Sequence, residues 1–169
     1  APKFDTSKLN TSELTVIYDK DNKEITKLGS EKREKVTYEE LPQVFVDALV
    51  ATEDSRFYQH NGFDAPRFLK ATVGQLLGHS DAGGASTLSM QVIKNSFTST
   101  VSGGFAGIVR KFTDIYLAVF KLEKHYSKDE ILEFYVNNHF LGGNVYGVQE
   151  ASREYFGKDV TDLNLSEAA

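Results

Sequence analysis

At 169 residues, 40% hydrophobic and 25% charged, the chain is long enough for one domain with a real core and is unlike a disordered segment. Its net charge of -5 gives no global reason to expect nucleic acid, so any anion site must be a local cluster. Absent cysteine excludes a disulfide framework and any thiolate metal site, and no apolar run reaches the roughly 20 residues that span a bilayer.

In chain order, Thr15-Val16-Ile17-Tyr18 and Glu24-Ile25-Thr26-Lys27-Leu28 read as two strands about a polar turn at 19–23, closed by Gly29-Ser30. This N-terminal hairpin or linker, residues 1–35, precedes a mainly α body at 36–169. Pro42 suits a first helical turn, and Val44, Phe45, Ala48, Leu49 and Ala51 follow at mostly three- and four-residue spacing. A second apolar helix is expected from Arg67 to Leu77, ended by Gly78, with a small, polar loop at 79–84. Ser86 or Thr87 can cap a helix running to about Phe97. A loop at 98–107 with three glycines leads into an amphipathic helix whose inner face is read as Ile108, Phe112, Ile115, Val119 and Leu122. Ser127 and Glu130 form a capping-box pattern, opening a helix through Ile131, Leu132 and Tyr135. Gly142-Gly143-Asn144 reads as a turn, Gly147 to Phe156 as a helix ended by Gly157, and Leu165 as the start of another.

Two places could carry chemistry. Glu53 and Asp54, adjacent acids at the end of an apolar helix, are followed by Arg56, Phe57, Tyr58 and His60; they fit a site or a solvated helix end. Lys94, Arg110 and Lys111 form a basic cluster suited to a phosphate, or else an ordinary charged face in which Arg110 pairs with Asp114 one turn on. His60, His79, His125 and His139 are scattered and read as structural or surface residues, without zinc-type or calcium-loop spacing.

The order of these features is more specific than any one of them. Glu53-Asp54-Ser55-Arg56-Phe57-Tyr58-Gln59-His60-Asn61-Gly62 matches the pattern EDxxFxxHxG at every fixed position, and Gly84 to Gln91 resembles GxSTxxQQ, with Met90 at the first glutamine. Arg110-Lys111-Phe112-Thr113-Asp114 resembles RKxxE with aspartate at the glutamate. Lys128 to Asn137 matches KxxILExYxN, and Phe140-Leu141-Gly142 with Gly147 to Lys158 resembles a fifth motif. Over roughly Lys35 to Ala169 the chain therefore resembles the glycosyltransferase family 51 domain of class A penicillin-binding proteins and monofunctional peptidoglycan glycosyltransferases. Ile17-Tyr18-Asp19, Leu28-Gly29 and Glu31 resemble the lead-in of bifunctional Gram-positive members.

The resemblance implies a lysozyme-like helical domain whose C-terminal helices continue past Ala169. It implies polymerisation of lipid II outside the cytoplasmic membrane, with an undecaprenyl pyrophosphate leaving group and an anchoring transmembrane helix outside these residues. Glu53 would be the general base on the acceptor hydroxyl, with Asp114 as a second catalytic residue that orients the basic cluster or contacts the donor. Asp54, Ser86, Thr87, Gln91, Lys94, Asn95, Arg110 and Lys111 would bind substrate, and Phe68, Leu69, Leu76 and Leu77 would either dip into the membrane or pack in the core. Shortening at Asp114 reduces reach by a methylene, and Met90 removes an amide. No cofactor is required, although a divalent cation at the pyrophosphate fits the chemistry. Expected partners are lipid II, the growing glycan strand, the membrane surface, a moenomycin-type inhibitor and a transpeptidase domain in the full-length chain, with no nucleic acid. Two alternatives stay open: an inactive fragment that binds lipid II or moenomycin, and a lysozyme-like lytic enzyme.

Overall fold

Pro42 supplies the fixed φ that begins helix α1 (Gln43–Glu53), and from there the chain of the computed structural model runs mainly as helices. The structure describes residues 4–9, 15–18, 24–28, 34–78, 84–98, 103–142 and 145–168. The expected turns at 19–23 and 143–144, Gly29-Ser30 and Glu31, His79, and the centres of the two expected loops, 79–83 and 99–102, lie outside them. Strand β1 (Thr15–Tyr18) pairs antiparallel with β2 (Glu24–Leu28), Thr15 opposite Leu28.

After α1 come α2 (Ala65–Leu76) and α3 (Leu88–Ile93), the latter continued by a π-helical turn at Lys94–Thr98. Helix α4 (Gly104–Leu117) likewise passes into a π-helical turn, Ala118–Leu122, and the short α5 (Glu123–His125). Helix α6 (Lys128–Asn138) begins at the capping box read in the sequence, Ser127 accepting from the Glu130 amide and Glu130 from the Ser127 amide. A two-stranded ribbon, β3 (Phe140–Gly142) and β4 (Val145–Tyr146), leads to α7 (Val148–Phe156) and α8 (Leu165–Ala168). Gly157 ends α7 in the left-handed region at φ +67°.

Helix α3 is the centre of the body. Leu88, Met90, Val92 and Ile93 are all buried, which a helix tolerates only when neighbours cover it on every side. It packs on α6 and α4, with Phe57, Leu122, Ile131 and Leu132 completing the core. Each such side chain contributes about 1.5–3 kcal/mol by leaving water. Met90 is therefore an apolar core residue, and at this pair of positions it is Gln91 that keeps an exposed face.

Helix α4 corrects the sequence reading. Ile108 and Phe112, expected on its inner face, are 56% and 63% exposed, whereas Leu122 is buried and Ile115 packs against the core as expected, with Asp114, Leu117 and Ala118 completing the buried stripe. The N-terminal half of α4 projects from the body beside α2, so its apolar row faces a groove instead of the core. Phe68, Ala71, Ser86, Lys111 and Phe112 help line that groove, a cavity of about 570 Å³.

Candidate active site

Glu53 and Asp54 stand side by side in sequence and have opposite fates because α1 ends between them. Asp54 leaves the helix at φ -155°, ψ 71°, which turns its carboxylate inward. It is wholly buried and accepts the Leu88 amide at 2.9 Å and His60 Nε2 at 2.9 Å, with Arg67 Nη1 3.7 Å away. His60 Nδ1 accepts the Gly62 amide at 3.0 Å, so Nε2 carries the proton given to Asp54. Glu53, half-buried, instead meets the cleft: Gln91 Nε2 donates to its Oε2 at 3.2 Å.

The loop between α1 and α2 is stitched to the start of α3 by Thr87, which caps that helix by accepting the Met90 amide and donates to the Gly62 carbonyl at 2.7 Å. Gly62 has φ +90°, and a Cβ there would lie 3.0 Å from the Ala118 carbonyl carbon and oxygen, so only glycine fits without backbone movement. Lys128 completes the brace, donating to the His60 carbonyl and to Glu123, with its ammonium 4.3 Å from the Phe57 ring centre. Arg67 donates to the Glu53 carbonyl at 2.6 Å and to the Gly84 carbonyl at 2.8 Å, tying the end of α1 to the segment before α3.

Glu53 lines a mostly apolar cavity of about 290 Å³ with Tyr135, His139, Tyr155 and Phe156. Tyr135 Oη reaches Gln91 Oε1 at 3.5 Å, and burial together with the Glu53 charge pushes its pKa well above the usual phenol range. His139 stacks on Tyr135 with ring centres 4.8 Å apart. Burial holds its pKa below the ordinary imidazole value, the Glu53 charge opposing this and Lys94 adding to it. Sequence reasoning set His139 aside as structural; its one clue is a place four residues after Tyr135, on the same helical face. Arg67 carried no spacing signal at all.

Lys94 of the predicted basic cluster and its neighbour Asn95 are exposed on the π-helical turn after α3. Arg110 Nη1 lies 3.6 Å from Asp114 Oδ2, and Thr98 donates to Asp114 Oδ1 at 2.6 Å. Arg110 contacts the buried Asp114 directly, and the charges of Lys94 and Lys111 favour its ionised form from further off. Lys111 stands 5.6 Å over the Phe68 ring and, with Ser86, lines the α2–α4 groove. Among the described residues no group of three or more His, Asp or Glu side chains gathers as a metal site.

Burial raises the Asp114 pKa above the ordinary carboxylate value, against the opposing pull of Thr98 and the cations. Protonation therefore favours the folded state at this position, and the stability it contributes falls as pH rises through the raised pKa. Asp114→Asn should consequently gain melting temperature relative to the parent chain as pH moves from acidic to neutral. A parent–variant difference that stays flat across that range would contradict this reading.

The chain's sequence matches the family model described as "Transglycosylase" over residues 21–169. It is 42% identical to penicillin-binding protein 1A/1B of Bacillus subtilis (strain 168), across the whole chain and 18% of that protein. It is 42% identical to penicillin-binding protein 1A of Clostridium tetani, over the whole chain and 22% of the relative. For penicillin-binding protein 1A of Streptococcus oralis the identity is 40%, over the whole chain and 26% of the relative. The chain thus spans between about a fifth and a quarter of the length of these curated relatives.

Proposed function

The chain belongs to the transglycosylase family, and we propose that it is a peptidoglycan glycosyltransferase joining lipid II units into glycan strands. The observation that carries this reading is the arrangement about Glu53. A carboxylate oriented by Gln91 faces an apolar cavity, and on the neighbouring elements Arg110 pairs with Asp114 while Lys94 stands exposed after α3.

In this scheme Glu53 takes the proton of the acceptor GlcNAc 4-hydroxyl as that oxygen attacks C1 of the donor MurNAc. One C–O bond forms and the C1–O bond to the pyrophosphate breaks, so the α-linkage becomes β with no covalent intermediate. Undecaprenyl pyrophosphate leaves with its electron pair on oxygen, facing Lys94, Arg110 and Lys111. Loss of one such preorganised contact costs about 3 kcal/mol of transition-state stabilisation. Asp114 holds Arg110 for this purpose, and Gln91 orients the base. Asp54 and Thr87, both wholly buried, serve as positioning residues, while Ser86 and Asn95 keep surfaces on which substrate could be held. The scheme uses no cofactor; a divalent ion would enter as a companion of the substrate's own phosphates.

The proposed site of action is the outer face of the cytoplasmic membrane. No helix among the described residues is long and apolar enough to cross a membrane. Helix α2 and the turn after it nevertheless expose Leu69, Leu76 and Leu77 at 64%, 81% and 68%, a patch suited to the membrane surface where the lipid tail of the substrate stays. Leu76→Ser with Leu77→Ser should weaken binding to phospholipid vesicles by about tenfold per leucine, with the melting temperature unchanged. Unchanged flotation with vesicles would contradict this placement. A transpeptidase domain elsewhere in the whole protein and inhibition by moenomycin-type compounds belong to the same proposal.

Incubation with labelled lipid II tests the proposed activity. Glycan polymer supports it; bound lipid II without turnover, or cleavage of preformed glycan, would replace it with a binding fragment or a lytic enzyme.

A further inference from the structure

The segment ahead of the hairpin is bound into the body of the domain. A single 3-10 turn, Thr6–Leu9, is closed by Asp5, whose Oδ1 accepts from the Ser7 amide at 3.0 Å and the Ser7 hydroxyl at 2.7 Å. Leu9 at its end is wholly buried in the core, and its carbonyl accepts from Asn138 Nδ2 at 2.8 Å, at the close of α6. Phe4 at its start stacks on Phe97, with ring centres 5.3 Å apart and 21° between planes, and lies 6.4 Å from the His125 ring. Residues 4–9 are therefore a strap fastened at both ends.

What Phe4 meets is the π-helical turn Lys94–Thr98. A π turn holds one residue more than an α turn, which rotates the chain beyond it by about 100° relative to α3. That geometry is rare in a helix left to itself, so contacts from outside must select it. Two contacts do so here. Thr98 donates to Asp114 Oδ1 at 2.6 Å, and Phe97 stacks on Phe4. In a continuous α register both side chains would be turned away from these partners.

The same turn carries Lys94 and Asn95, both exposed. Neither Phe4 nor Leu9 lines the Glu53 cavity or the α2–α4 groove, so any influence of the strap on the chemistry runs through the turn.

We propose that Phe4 and Leu9 are positioning residues: the strap selects the π register of Lys94–Thr98 and so fixes Lys94 for the leaving pyrophosphate. The effect on catalysis rests on the transferase reading; the effect on the turn does not.

Phe4→Ala removes the stack at a partly buried position and leaves Leu9 in the core, so the fold should persist, and Phe4→Tyr keeps a ring against Phe97. Hydrogen exchange of the Lys94–Thr98 amides is measured first, with no substrate present. Phe4→Ala should raise exchange there by about tenfold more than in α6, and Phe4→Tyr should restore protection. Exchange that rises no more in the turn than in α6 overturns the strap, whether or not the chain polymerises lipid II.

Lipid II turnover is then compared in the parent, Phe4→Ala, Lys94→Gln and the double variant. Phe4→Ala should lower kcat/KM by about tenfold in the parent and no further in Lys94→Gln, since a misplaced ammonium is lost only once. No loss with Phe4→Ala, or equal losses in both backgrounds, overturns the positioning role. A parent with no turnover removes the transferase reading and the positioning role with it, and the exchange result alone then decides the strap.

Discussion

Glu53→Gln is expected to slow glycan polymerisation by about 10²–10⁴-fold while leaving KM for lipid II close to the parent value. The amide has nearly the shape of the carboxylate, and its carbonyl can still accept from Gln91 Nε2, which sits 3.2 Å from Oε2. The fold should therefore survive, since the side chain is half-buried and the variant keeps an acceptor for Gln91 on α3. An amide cannot take up the hydroxyl proton, so the loss falls on kcat. A variant that polymerises at the parent rate would remove Glu53 from the role of base. A variant that loses kcat and lipid II affinity together would instead make Glu53 a binding residue.

The neighbouring acid should behave in the opposite way. Asp54→Ala is expected to destabilise the chain by about 3–5 kcal/mol, since it strands the buried Leu88 amide, His60 Nε2–H and a guanidinium 3.7 Å away. Against a typical total stability of about 5–15 kcal/mol, that loss brings the fold near its limit. Asp54→Asn keeps the volume and an acceptor for Leu88 but turns an N–H toward one of the remaining donors, so its cost should be intermediate. Thermal or denaturant unfolding measures both. Asp54→Ala with a parent-like melting temperature and no turnover would contradict the positioning role and restore a direct substrate contact.

Much of the fold was legible because local chemistry and packing agree. Pro42 opens α1, the Ser127–Glu130 box opens α6, and Gly157 closes α7 in the conformation glycine favours. Periodicity failed at α4, where Ile108 and Phe112 repeat at the right interval but face a groove. A 3.6-residue repeat says that a helix has an apolar side, and only the neighbours decide what covers that side.

The site was legible as a set of motifs, and less so as a division of labour. Two adjacent acids read alike until the helix terminus sends one inward. Lys128, Glu133 and Asn137 fall within one motif and brace the scaffold: Glu133 accepts the Tyr38 amide, and Asn137 pairs with both backbone groups of Val36. Arg67 joins the neighbourhood of Glu53 through tertiary placement that no spacing encodes, and His139 has only its four-residue interval after Tyr135 to announce it. Met90 departs from its motif at a position that folding turns into the core, which accounts for a thioether there.

The most direct measurement is the linkage chemistry of the product made by this chain from α-linked lipid II. The account expects β-linked glycan that a muramidase digests, with one undecaprenyl pyrophosphate released for each new bond. New reducing muramic acid ends without new linkages would mean hydrolysis, and would contradict transfer with Glu53 as base toward an acceptor sugar.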